Sequence, residues 1–245
     1  AGSAWGGSPV INNPNDQVLN ISDYAIPHRV LANVSYTIKN STFGIYYNGV
    51  HQGRFSYIYS GDINLDGNAA DLIYLPRQAS ELNFEEFSVT YRNASGESVT
   101  KVFTAADQAQ ALDRFIAENG LENYRGQYLP RNQFLLPWLN RFDVRWTQNL
   151  FQNIGRPNDR LQLTVDIINV GNLLNSDWGV QSNLLAAGQN FLTVRGVTTD
   201  GVPTFRMQTV NDPVTNEPFI VDTPFRKAST TGTTWSAMLG LRYTF

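Results

Sequence analysis

The chain has 245 residues, is 42% hydrophobic and 12% aromatic, and carries a net charge of −3. Only 16% of it is charged, against about a quarter in ordinary soluble domains, and mean hydropathy is −0.29. This balance offers no basic face for nucleic acid, zero cysteines exclude disulfides and thiolate chemistry, and no run approaches the ~18 apolar residues of a transmembrane helix. No basic-then-apolar signal segment opens the chain. Richness in Asn, Thr, Ser and Gln beside Tyr, Phe and Trp suits an outer-membrane β-barrel, a profile that soluble β-proteins share.

In chain order, residues 1–29 are rich in Gly, Ser, Asn and Pro and read as an irregular tail. Over 30–39, Val30, Ala32, Val34, Tyr36 and Ile38 alternate with Asn33, Ser35, Thr37 and Lys39, a period of two that predicts a strand. Asn40-Ser41 signals a turn, and a second run extends loosely over 42–59. A long insertion follows at 60–138. Within it 105–119 predicts a helix, with Ala105, Ala109, Leu112, Phe115 and Ile116 on one stripe and Gly120 at the C-terminal cap. That stripe is expected to pack against the rest of the insertion. Strands resume at 140–150 and 160–169 around a turn at 154–159. Weaker ones lie at 191–198 and 203–210, joined by Thr199-Asp200-Gly201. After an irregular loop at 211–232, the run 233–245 alternates to the last residue.

Three features favour lipid on one side of these strands. They run about ten residues, near the 9–11 that a tilted strand needs to cross a bilayer. Short turns at 40–41, 151–159 and 199–202 alternate with long connections at 60–138, 170–190 and 211–232, as in outer-membrane barrels. The polar face carries Lys39, Asp143, Arg145, Asp166 and Arg242, which a wet lumen accepts and a dry core does not. A soluble sandwich with one solvated face explains the charges but not the ordered loop lengths. Seven strands are an odd number, whereas bacterial barrels close with an even one. The expectation is therefore an all-β chain forming the C-terminal part of a larger barrel, with 1–29 the tail of an extracellular loop.

Several stretches carry a resemblance. Ile26-Pro27-His28-Arg29, Tyr46-Tyr47-Asn48-Gly49, Gly61-Asp62-Ile63-Asn64 leading to Asp71-Leu72-Ile73-Tyr74, and Tyr124-Arg125-Gly126 are similar to the C-terminal region of TonB-dependent outer-membrane receptors of the Bacteroidota type. Leu136 to Asp143 and Asn169 to Asn175 resemble later landmarks of the Oar-like and SusC-like branches. The terminal Gly240-Leu241-Arg242-Tyr243-Thr244-Phe245 resembles the barrel-assembly signal, carried by Gly240, Tyr243 and Phe245, although Met238 stands where a polar residue is usual. The resemblance implies the last seven or so strands of a barrel of about 22, closed by a plug. It also implies import of an oligosaccharide or peptide with energy from TonB, in the outer membrane of a Gram-negative cell. Partners implied are outer-membrane lipid, the remaining barrel with its plug, TonB, and a surface lipoprotein. No plug or TonB-contacting segment lies in these residues. Two other readings stand beside it: a secreted, calcium-stabilised β-module that binds glycans, and an outer-membrane scaffold without transport.

The chemistry-bearing residues are few. Asp62, Asn64 and Asp66 fall at positions 1, 3 and 5 of a calcium-type loop, Gly67 stands at its sharp turn, and Asp71 closes it at the tenth position in place of a Glu at the twelfth. The same residues also suit side-chain turns in an exposed loop. Tyr57, Tyr59, Tyr74, Tyr124, Tyr128 and Trp138 are candidates to stack on a substrate, or to pack the large loop. Trp235, Tyr243 and Phe245 suit an interfacial girdle. His28 and His51 lie far apart in sequence, and Glu85-Glu86 points to opposite faces of an extended segment, so no enzyme activity is expected.

Overall fold

A computed structural model describes residues 8–11, 13, 15, 18–153, 155–228 and 230–245. The remaining residues of the expected tail, and Ile154 of the second turn, lie outside the described residues. The chain is predominantly β, as expected, and divides into two compact units.

The first unit comprises Tyr24–Gly53, Leu135–Asn183 and Lys227–Phe245. Its alternating sequences form β1 (Arg29–Ile38), β2 (Ser41–His51), β3 (Trp138–Gln152), β4 (Arg160–Ile168) and β5 (Ser236–Thr244). These pair antiparallel in chain order. The β1–β2 turn is Lys39-Asn40, one residue earlier than expected, and Lys39 reverses the chain at a φ of 52°. The β3–β4 turn is braced by Asp159, whose Oδ2 accepts from Arg156 N at 3.1 Å, and by Gly155 at a φ of 93°. Both short turns lie at one end of the sheet. Both long excursions, 52–137 and 169–235, leave from the other. No sheet closes into a barrel among the described residues.

The expected seven long strands are corrected to five. Residues 192–197 and 203–207 do form the expected hairpin, turned at Gly201, but they belong to the second unit. There the 203–207 strand also pairs, in parallel, with Asn83–Phe84. At six and five residues these strands are too short to span a bilayer, and Leu192, Phe205 and Met207 are buried in a protein core instead. The run 42–59 likewise ends as a long strand at His51, because Phe55, Tyr57 and Tyr59 turn into that same core.

The second unit comprises the described residues of 8–23 with Arg54–Phe134 and Leu184–Arg226. The excursion expected over 60–138 is therefore half of a body that also draws on the chain after 183. Its helix α1 (Ala105–Glu118) begins in a capping box, where Thr104 Oγ1 accepts from Asp107 N and the Asp107 carboxylate accepts from Thr104 N. Ala111, Leu112, Phe115 and Ile116 form its buried stripe. Phe115 packs 4.5 Å from Phe191, which lies 5.6 Å from Tyr57. Gln108, fully buried on the same face, donates to Glu85 O at 2.7 Å and accepts from Met207 N at 3.0 Å. One amide thus bonds segments of both excursions, and its burial is tolerated because its polar atoms are satisfied. Truncating the fully buried Phe115 to Ala is expected to cost the body about 3–5 kcal/mol, the usual range for deleting a core aromatic. Limited proteolysis should then cut within 54–134 well before it does in the unaltered protein.

Candidate functional site

The registry of the five-stranded sheet sorts its side chains onto two faces of opposite chemistry, since residues directly opposite on antiparallel strands point the same way. One row runs Val34, Ile45, Val144, Ile167, Ala237 and the next Tyr36, Phe43, Trp146, Val165, Leu239. On the other face run Ser35, Gly44, Arg145, Asp166, Met238 and then Thr37, Thr42, Thr147, Thr164, Gly240.

The apolar face is uncovered. Every residue of β1 and β5 is exposed, with Val34 at 68% and Leu239 at 77%. A contiguous apolar surface spread over five strands is far from the isolated exposed side chains of a soluble protein and marks an interaction surface. Several polar side chains that fall on this face are paired with one another, whereas Trp146 Nε1, also on this face, has no partner among the described residues. Ser41 Oγ donates to Gln148 Oε1. Asn140 Oδ1 accepts from Tyr47 Oη at 2.7 Å and from Trp138 Nε1 at 3.0 Å. Such internal pairing is what a hydrocarbon environment requires.

The charged face is concave. Asn33, Ser35, Thr42, Tyr46, Asp143 and Arg145 help to line a depression of about 410 Å³. Arg145 bonds its cross-strand neighbour Asp166 through two nitrogens, at 2.5 and 3.1 Å, and Arg141 lies 3.3 Å from Asp143. Exposed pairs like these contribute little stability but hold both charges on one side of the sheet.

The expected assembly-signal residues separate by face. Tyr243 and Phe245 lie on the apolar side with rings 6.0 Å apart, whereas Gly240 sits opposite Thr164 on the polar side. Met238, the mismatch in that signal, pairs with Asp166 on the polar face.

The candidate substrate aromatics are not one surface. Tyr57 and Tyr59 are almost wholly buried in the second unit, where burial pushes both phenols up from their ordinary pKa. For these two, packing is the role the structure gives. Tyr74 and Tyr128 meet edge to face at 5.4 Å, and Tyr124 lies 5.6 Å from Phe134. Trp138 belongs to the sheet unit and meets His51 edge-on at 4.9 Å. The two histidines, distant in sequence, come within 6.1 Å of each other. Glu85 is tied to Thr204 at 2.6 Å and to Arg206 at 3.3 Å.

The acidic loop is tightly folded. Asp62 Oδ2 accepts from Gly67 N at 2.7 Å, Asn64 Oδ1 from Asp66 N at 3.1 Å, and Asp66 Oδ1 from Asn68 N at 2.8 Å. Gly67 takes a φ of 88°, the left-handed turn for which glycine suits that position. Asp71 is fully buried. Its Oδ2 accepts from Ile63 N at 3.1 Å, and its Oδ1 has no partner among the described residues. Burial raises its carboxyl pKa, and the Asp66 and Asp62 charges raise it further, against the lowering effect of the Ile63 N–H. Among the described residues, no three of His, Cys, Asp and Glu stand gathered as a metal-binding group.

No family model matches the chain, and neither a curated protein nor a solved structure does. Sequence reasoning passed over Asn140, an amide interrupting an aromatic alternation between Trp138 and Phe142, and over the Ser41–Gln148 pair. Their signal was a polar residue on the wrong parity. Replacing Asn140 by Leu removes the acceptor for two hydrogen bonds. Both bonds are exposed, so a loss of about 0.5–1.5 kcal/mol for each is expected in urea unfolding of the purified protein.

Proposed function

We propose that this chain is part of a TonB-dependent outer-membrane receptor that imports a bulky nutrient, an oligosaccharide or a peptide. The observation that carries the membrane reading is the uncovered apolar face of the five-stranded sheet, backed by a concave charged face. Strands of nine to fifteen residues, short turns at one end and long excursions at the other also suit an outer-membrane barrel. Among the described residues β1 and β5 each pair on one side only, and long edges of this kind need a strand partner. Further strands of a larger barrel would supply it.

On this reading lipid meets the face of Val34, Val144 and Leu239, while Arg145, Asp166 and Arg242 face water in the lumen. The remaining barrel, its plug and TonB are the partners the transport cycle needs, and a surface lipoprotein is a further candidate. The second unit has its own core and suits a folded extracellular element rather than a flexible linker. The transport half of the proposal rests on the resemblance of the C-terminal landmarks and of the terminal aromatic strand to that receptor family.

Two measurements test it. Val144→Arg, on the apolar face, is expected to destabilise the membrane-inserted protein by about 2–4 kcal/mol and to abolish heat-modifiable gel migration, whereas Thr147→Arg on the polar face leaves migration intact. Equal tolerance of both would contradict the membrane reading. For transport, a strain lacking the protein should lose growth on particular oligosaccharides or peptides, and loss of TonB should reproduce the defect. Growth that is unaffected by TonB would leave a scaffold as the better account.

A further inference from the structure

A buried carboxylate without a cation is expensive, and Asp71 is one. Its side chain is fully buried, no salt bridge among the described residues reaches it, and the hydrogen bond that its Oδ2 accepts comes from a neutral amide. Taking a charge out of water in this way is tolerated when the group is paired, neutralised by a proton or bound to a metal. The unpartnered Oδ1 is therefore a buried acceptor with no donor among the described residues.

Its surroundings select among those options. Asp71 Oδ2 is held by Ile63 N, inside the acidic loop, and the Asp62 and Asp66 charges lie close enough to act on it. Two carboxylates thus bear on the buried Asp71, with no basic side chain paired to it among the described residues. The backbone explains why the closing carboxylate can come at the tenth position. Tyr59 N donates to Asp71 O at 2.8 Å, and Leu72 N donates to Val10 O at 2.7 Å, pinning the loop at its base. Asp71 is thereby returned to the start of the loop after fewer residues than a helix-flanked loop would need.

We propose that the loop from Asp62 to Asp71 is a Ca2+ site, with side-chain oxygens of Asp62, Asn64, Asp66 and Asp71 as ligands. A hard cation taking six to eight oxygens suits carboxylates and an amide carbonyl on a short turn, with backbone carbonyls and water completing the shell. Asp62 keeps its bond from Gly67 N through Oδ2, and its Oδ1 exchanges the longer bond from Asp66 N, 3.3 Å, for the metal. Asn64 and Asp66 exchange their bonds to backbone amides for the cation, and Asp71 contributes the oxygen that now has no partner. The site does not depend on the membrane reading, since its residues all lie in the second unit.

The test is a titration of the full-length protein, stripped with a chelator in detergent, with CaCl2 alone. Calorimetry follows binding and limited proteolysis follows cleavage between residues 62 and 70. One Ca2+ per chain is expected, with a Kd of about 10⁻⁴–10⁻³ M as in extracellular modules, together with slower cleavage of the loop. Asp71→Asn should weaken binding by about tenfold or more, the scale of losing a charged ligand. Asp66→Asn, at an exposed position, should also weaken it and serves as a variant whose folding does not rely on burial. No saturable heat up to about 10 mM Ca2+, an order of magnitude above that range, would overturn the site. So would unchanged affinity in Asp66→Asn, or equal protection by MgCl2 at the same concentration.

Discussion

Everything in the sheet unit depends on a registry that repeats every two residues and holds across five strands. A shift of one residue between β2 and β3 would carry Trp146 and Phe142 to the charged side and Arg145 to the apolar side. The apolar and charged rows are therefore evidence about environment, not decoration of a sheet that could pair otherwise. On the proposed membrane reading each face has its own solvent. A soluble sandwich could supply water to the charged face, but something apolar must meet the other, where β1 and β5 are exposed along their whole length.

The second unit obeys a different constraint. Its strands are short, its helix is capped at both ends, and its side chains converge on a core built around Tyr57, Phe115 and Phe191. Gln108 makes that core specific: its amide fits only when the strand carrying Met207 and the segment carrying Glu85 are both in place. Two excursions far apart in sequence thus fold as one body, which a loop of independent turns would not do.

Much of the sheet was legible because period two is a strong signal wherever one face is uniform. β1, β4 and β5 read cleanly from Val30, Leu161 and Trp235 onward, and helix 105–119 was located to within a residue by its stripe and by Gly120. The strand count failed at 191–198 and 203–210 because short hairpin strands buried in a protein core show the same alternation as membrane strands. Run 42–59 failed for a related reason: Phe55, Tyr57 and Tyr59 keep the period after the chain has left the sheet. Among the site residues, the spacing of Asp62, Asn64 and Asp66 was readable. The burial of Asp71 was not, since it depends on backbone contacts with Tyr59 and residues near Val10. Pairings such as Asn140 with Tyr47 were hidden for the same reason, being set by inter-strand register.

The central claim is that the two faces of the sheet meet different solvents, and a cysteine-free chain permits a direct test. Single cysteines at Leu239 and Thr164 can each carry a nitroxide label in protein reconstituted into lipid vesicles, with relaxation by oxygen and by a polar nickel chelate measured at each. The account predicts that the Leu239 label is relaxed strongly by oxygen and weakly by the chelate, with the order reversed at Thr164. Strong relaxation of the Leu239 label by the chelate, or shielding of that label from both reagents, would contradict it.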